Sequence, residues 1–503
     1  MKKTLHFLVA LALAGLTFQS CKKEQSINPD EEITGQPEEQ ELLLKDSTYL
    51  FTYTYSLWNK NMPEPKTTAD LRNFTRTYSN AEEVLSALMA LTPPIGPNNN
   101  AVDRFSFIDR TNRVGEQIGQ GVYRDLGLSL QAILFDETSR KVGILIRLVQ
   151  KNSPAAQSGL IRGLRVLSVD GVALNLTAAA NNSISGNIDV VNKLYTGNVS
   201  RVRVRNLSTG AEQDVAINGT TSYTLNPILE NKVIELPANG KKVGYLAYTS
   251  FINVISNQQP NSFHRDLTAA FADFSNAGIQ ELVVDLRYNG GGETSAAQLL
   301  TNLIVPSGHN GQIMYSYVMN DILTAGGFTD PSRTNAPFQP IKINKTNNLS
   351  LNRVYFLVTS SSASASELVI NALKPYMDVQ IISTQGRGTY GKPVGSFGRA
   401  VMSNAARLYI TSFKMTNAAG QGDYYNGLIG QKSNSRDGYL DALGSENEQM
   451  FSDALYHISN GVYRSASTSA QARIGRVNTP LNTANGLEIL LDQQVQGLYH
   501  LNP

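Results

Sequence analysis

Two short stretches hold residue types that could do chemistry together. Ser360-Ser-Ser-Ala-Ser-Ala-Ser366 follows the apolar run Val354–Val358 and precedes a helical pattern starting at Glu367. Downstream lies Gly386-Arg-Gly-Thr-Tyr-Gly-Lys392. A serine delivered by a strand to a helix start meets backbone N–H groups whose partial positive charge can stabilise an oxyanion. The same run also suits a small-residue turn with Ser366 as a helix cap. A serine nucleophile needs a base. None of the five histidines, His6, His264, His309, His457 and His500, sits in a recognisable catalytic motif, although a triad through His264 or His309 stays open. Lysine is the other base, provided burial or a positive neighbour lowers its pKa enough to leave it neutral. Lys392, between Gly391 and Pro393, is suited to burial; an exposed loop lysine is the alternative. A phosphate loop is excluded: the residue after Lys392 is Pro393 where Ser or Thr must hold magnesium, and Val394–Gly398 does not open a helix.

The elements around these stretches read as alternating strands and helices. Val243–Phe251, Glu281–Leu286 and 354–359 are nearly continuous apolar strands, and Leu267–Ala277, Thr294–Ile304 and 366–376 have helical spacing. This predicts a multidomain α/β protein whose core, residues 225–460, has a mostly parallel sheet. Arg287-Tyr-Asn-Gly-Gly-Gly292 is the turn after one strand. Val305–Leu351 is polar and reads as a surface segment or hairpin. Residues 113–220 read as a β-rich domain, with strands at Leu126–Leu130 and Val142–Val149. A short helix over Ser153–Leu160 and a strand running into the Asp170-Gly171 turn follow. Residues 46–112 are helical, with an apolar repeat at Val84, Leu85, Leu88, Met89 and Leu91. Residues 21–45 read as a disordered tether, and 461–503 as a tail with a helical patch near Leu487–Val495.

The chain has 503 residues and a formal net charge of +2, with no long basic block. This argues against nucleic acid as a partner. Lys2-Lys3 and the apolar Leu5–Phe18 form an export signal over residues 1–20. Cys21, the only cysteine, follows Ser20. The arrangement resembles a bacterial lipoprotein signal, which implies lipid attachment at Cys21. It also implies a place in the cell envelope, facing the periplasm or the cell surface. A lone cysteine excludes internal disulfides.

The succession from Leu126 to Gly171 resembles a PDZ domain. Such domains bind a peptide as an added strand and hold its C-terminal carboxylate on backbone amides. The resemblance places that loop at Leu126-Gly127-Leu128-Ser129. Taken with Asp285-Leu-Arg-Tyr-Asn-Gly-Gly-Gly292, Ser362-Ala-Ser-Ala-Ser-Glu367 and Thr389-Tyr-Gly-Lys392, the chain resembles the C-terminal processing peptidases, or tail-specific proteases. By that resemblance Ser364 is the nucleophile and Lys392 the general base. The amides of Gly291 and Ala365 form the oxyanion hole. Ser396 stands where the family often has a lysine-orienting Gln, and Tyr288 and Gly290 stand where its turn has Asn and Pro. The implied function is a lipid-anchored serine endopeptidase acting near the C-termini of protein or peptide substrates. No cofactor, metal or nucleotide is implied. The alternative is a non-catalytic peptide-binding or scaffold protein of the envelope.

Overall fold

The site-bearing sheet is built from apolar runs that have no polar face, so both of its faces must be covered. In the computed structural model, which describes residues 37–464 apart from 97–98, 137, 180–182, 219–221, 334–335, 385–387 and 403–405, this sheet has six strands. They are β1 (Ile228–Glu235), β2 (Lys242–Tyr248), β3 (Glu281–Asp285), β4 (Arg353–Val358), β5 (Asp378–Thr384) and β6 (Lys432–Ser435), in that spatial order. β1 pairs antiparallel with β2, and every later pair is parallel. Helices connect the parallel strands: α1 (Ser262–Ala277), α2 (Thr294–Ile304) and α3 (Ala365–Leu373), with α4 (Gln449–Asn460) after β6. Asn261 caps α1 by accepting from the His264 N–H, and Gly278, at φ 69°, ends it in the left-handed conformation that a C-cap favours. α4 covers one side of the sheet, packing Met450, Phe451, Ala454 and Ile458 against Tyr245, Val283, Tyr355 and Leu357.

The same compact unit, described residues within 113–312, 343–392 and 426–464, contains a second, antiparallel sheet. Its strands include Leu128–Asp136, Lys141–Val149, Leu164–Val169, Arg201–Asn206 and Glu212–Ala216. Helix Ile188–Thr196 adds Val190, Val191 and Leu194 to the core of this β domain. Asp170 and Gly171 both have positive φ, 48° and 82°, as the Asp-Gly turn expected there requires.

The other unit comprises, among the described residues, 37–112, 313–342 and 393–425. Helices Pro37–Tyr55, Thr68–Thr75 and Ala81–Ala90 pack beside an antiparallel sheet in which Ala406–Asn417 pairs with Val394–Val401, Ile313–Met319 and Phe107–Asp109.

Three sequence readings change here. Residues 37–45 are not a tether but the first turns of a helix, because Leu44 is buried against Leu85, Ile108 and Leu408. Residues 225–460 are not one core: 313–342 and 393–425 leave it for the sheet containing Phe107–Asp109, since strand pairing is non-local and apolar patterning does not name the partner. Val305–Leu351 supplies a strand, Ile313–Met319, to that sheet. The export signal, Cys21, Gly386 and the patch at Leu487–Val495 lie outside the described residues. No described helix is long and apolar enough to cross a membrane.

Candidate active site

The turns that follow β3 and β4 are laced together. β4 ends at Val358, and Thr359–Ser364 turns into α3. The Ser362 hydroxyl donates to Leu286 O at 2.7 Å and accepts from the Thr359 N–H at 3.0 Å. The Ser366 hydroxyl donates to Asn289 O at 2.8 Å, and the Ala363 N–H to the same oxygen at 3.2 Å. Ser361 accepts from Arg147 Nη2 at 3.3 Å. Ser362 and Ser366 are fully buried, whereas Ser364 is half-buried. The serine run thus divides into residues that tie the turn and one that the turn presents.

Ser364 has φ 55° and ψ −111°, outside the regions an L-residue ordinarily occupies. Such a backbone costs about 1–3 kcal/mol and persists where its surroundings over-determine it. Gly291 is one reason it persists. Its φ is 107°, and a Cβ there would lie 2.8 Å from Ser364 Cβ, 2.9 Å from Ala363 O and 3.0 Å from Ala365 N. Only glycine lets the two turns approach this closely.

Glu367, fully buried in the first turn of α3, is the second reason. Its Oε2 accepts the N–H of Ser364 at 2.9 Å and the N–H of Lys392 at 2.8 Å. Its Oε1 accepts the N–H of Gly391 at 2.7 Å and the Thr389 hydroxyl. Burial pushes this carboxyl above the usual range, against the four donors, which favour the charged form. Because one oxygen holds both main-chain nitrogens, the backbones of Ser364 and Lys392 are adjacent. The Tyr390 N–H also donates to Ser362 O at 2.9 Å. Lys392 itself is half-buried.

A buried charge network fixes the turn after β3. Arg287 is bidentate on Asp285 (3.0 and 2.7 Å) and also reaches Asp437 and Glu448, each at 2.9 Å. Burial disfavours its charge, but Asp285, Glu448 and Asp437 outweigh that and keep it protonated. Burial alone would raise Asp437; Arg162 and Arg287 pull it down to about 2. Arg162, from the β domain, donates to Asp437 at 2.6 Å, and the Tyr288 hydroxyl bonds the same carboxylate. The Tyr288 ring lies 5.0 Å from the Arg147 guanidinium and 5.5 Å from that of Arg162.

The sequence-predicted residues therefore meet in part. Ser364, Ala365, Gly291 and the main chain of Lys392 come together. The Ala365 N–H heads α3 with no acceptor among the described residues. The Gly291 N–H is engaged: it donates to Asn289 Oδ1 at 2.9 Å, and Asn289 is locked by its own bond to Tyr248 O at 2.9 Å. Ser396 belongs to the other unit, and its hydroxyl is buried without a hydrogen-bond partner among the described residues. It sits where the pairing of Val394–Val401 with Ala406–Asn417 slips register, and a serine lacks the reach of the glutamine it replaces. Ser396→Ala is expected to leave kcat unchanged and to raise stability by up to about 1 kcal/mol, as removing an unsatisfied buried hydroxyl does; peptide turnover and urea unfolding measure both.

Gly127 is held within the β domain. Its φ is 72°, but a Cβ would lie 2.2 Å from Ser153 Cβ, so internal packing explains the glycine. Its N–H donates to Asp125 Oδ1 at 2.8 Å. Leu126 is fully buried, and Leu128 and Ser129 begin the strand paired with Lys141–Val149. Sequence reasoning missed the hub role of Glu367, although its spacing from Ser364 is that of a capping box and a carboxylate in an otherwise apolar helix was a signal. Asn289, Asp437 and Glu448 carried no local signal.

A strained serine at a strand-to-helix elbow of a largely parallel sheet is faced by a glycine turn, an arrangement that can present a hydroxyl beside backbone N–H groups. Residues 242–428 match the model of peptidase family S41. The family is one of serine-type peptidases. Among curated proteins the chain is similar to the chloroplastic C-terminal processing peptidase of Tetradesmus obliquus, with 26% identity over 275 residues. That match covers 53% of this chain and 51% of that one, so the chain spans about half the length of this relative. Among solved structures it is similar to an S41 protease from Bacteroides fragilis NCTC 9343, with 24% identity and a TM-score of 0.62, over 83% of this chain and 97% of that one. The likeness shows a shared fold.

Proposed function

We propose that this protein is a serine endopeptidase that cleaves protein or peptide substrates near their C-termini, with Ser364 as nucleophile and Lys392 as base. The observation that carries the reading is the Glu367 carboxylate, which holds the main chains of both residues on one oxygen beside Gly291. Lys392 takes the Ser364 proton as the hydroxyl oxygen attacks the scissile carbonyl carbon. The oxyanion faces the Ala365 N–H at the start of α3, and the Gly291 N–H joins it on leaving Asn289. Collapse expels the amine with the proton from Lys392, leaving an ester on Ser364. Water, deprotonated by the same lysine, then releases the acid and restores the serine.

The β domain is read as PDZ-like. Strand Leu128–Asp136 pairs on one side only among the described residues, which supports capture of a peptide as an added strand. Cys21 is read as the lipid attachment point of an exported envelope protein.

The test is labelling of the mature protein with a fluorophosphonate probe across pH, with an unfolded protein as competing substrate. Labelling of wild type but not Ser364→Ala, rising toward alkaline pH as a lysine base requires, is the expected result. A second reading, a non-catalytic peptide-binding protein, is favoured by the engaged Gly291 N–H and the unpartnered Ser396. It gives equal absence of labelling in both proteins together with C-terminal peptide binding by calorimetry.

A further inference from the structure

The exposed rim of the glycine turn carries one side chain that the proposed reaction does not use. Gly290 and Glu293, on either side of the Gly291-Gly292 pair, are exposed, whereas Asn289 and Gly291 are buried. A Cβ at Gly290 would meet nothing within 4 Å, so that flank is open. Glu293 is fixed through its main chain, its N–H donating to Phe251 O at 2.7 Å. It precedes α2, where an acidic residue ordinarily serves as a cap. Yet its side chain makes no cap bond and has no hydrogen-bond or ion-pair partner among the described residues. Solvent reaches it, and the protein around it is still dense enough that burial pushes its carboxyl above the usual range, with no neighbouring charge contributing.

Position then determines what this carboxylate meets. The scissile carbonyl must sit on Ser364, and Gly291 packs on Ser364. Glu293 is two residues farther on, about 7 Å in Cα separation at most. An extended substrate advances about 3.3 Å per residue, so side chains within a few residues of the scissile bond come within the span that a side chain at position 293 can reach. We infer that Glu293 is a specificity-determining residue: it favours substrates with a lysine or arginine close to the scissile bond and disfavours acidic ones. The inference rests on the reading of Ser364 as nucleophile. Its physical basis is a short-range charge interaction in a partly desolvated site, stronger than the same pair in bulk water and weakened by salt.

The test uses fluorogenic peptides that differ only in Lys, Met or Glu scanned through the three residues on each side of the scissile bond. Wild type, Glu293→Gln, Glu293→Lys and Ser364→Ala are compared. In wild type the kcat/KM ratio of Lys to Glu peptide is expected to be roughly five- to tenfold above one at one or more positions, falling as sodium chloride is raised. Glu293→Gln brings that ratio toward one and Glu293→Lys inverts it. If wild type cleaves the Met peptide, Ser364→Ala does not, and the Lys to Glu ratio is the same in wild type and both Glu293 variants, the role of Glu293 is overturned and the nucleophile stands. If wild type and Ser364→Ala are equally inactive on the Met peptide, the peptidase reading itself fails and this inference with it.

Discussion

Replacing Ser364 with alanine is expected to lower kcat by about 10⁴-fold or more, the loss typical when a serine nucleophile is removed, with almost no change in stability. The tying of the turn belongs to its neighbours: Ser362 to Leu286 and Thr359, Ser366 to Asn289, Ser361 to Arg147. Alanine keeps the Cβ, so the strained backbone at φ 55° persists. Ser364→Gly removes the Cβ and should be equally inactive yet more stable by about 0.5–1 kcal/mol. Ser362→Ala supplies the contrast. It leaves the buried Thr359 N–H without its partner, while Leu286 O keeps the Asn289 N–H, and should cost about 1–3 kcal/mol. Turnover of an unfolded protein substrate and denaturant unfolding, run on all three variants, separate the roles. Wild-type turnover by Ser364→Ala would remove the nucleophile assignment.

The second large effect belongs to Glu367. Its two oxygens receive four donors, from Ser364, Thr389, Gly391 and Lys392. In Glu367→Gln one oxygen becomes an amide NH₂ that points a donor at donors, so two of the four bonds are lost in a fully buried place. A cost of about 2–4 kcal/mol is expected. Loosening the Ser364 and Lys392 main chains should also lower kcat by about 10²–10³-fold, because small displacements of reacting groups have effects of that size. KM should change little if the substrate-binding surfaces stay in place. A general loss of folding would instead lower the amount of active protein and leave kcat per labelled site unchanged. Counting sites with the fluorophosphonate probe distinguishes the two. A folded Glu367→Gln protein with wild-type kcat would show that the carboxylate does not position the pair.

The elements around the site were largely legible because their signals are local. The spacing of Ala296, Leu299, Leu300, Leu303 and Ile304 marks α2 over Thr294–Ile304 as observed, and the run Val354–Val358 marks β4. The helix at Ile188–Thr196 was overlooked, being short and carrying only Val190, Val191 and Leu194 on its buried face. The start of the first helix was overlooked for another reason. The acidic start of 37–45, Glu38-Glu39-Gln40-Glu41, suggests disorder, and only the packing of Leu44 outweighs it.

The sequence by itself determined the order of strand, serine turn and helix, the glycine turn that must approach it, and the lysine that follows. Those are written in periods of two and of three to four residues, and in glycines required by backbone geometry. Tertiary structure decided what each residue in those motifs touches. It separated Ser364 from the serines that tie the turn and made Glu367 the junction of two distant segments. It turned the Gly291 N–H toward Asn289, filled the space beside Gly127 with Ser153, and left the Ser396 hydroxyl without a partner among the described residues. It also gathered Arg162, Arg287, Asp437 and Glu448 into one buried cluster. Hydrogen bonds and buried charges join whichever groups the fold brings within about 3 Å, and sequence spacing does not record that distance.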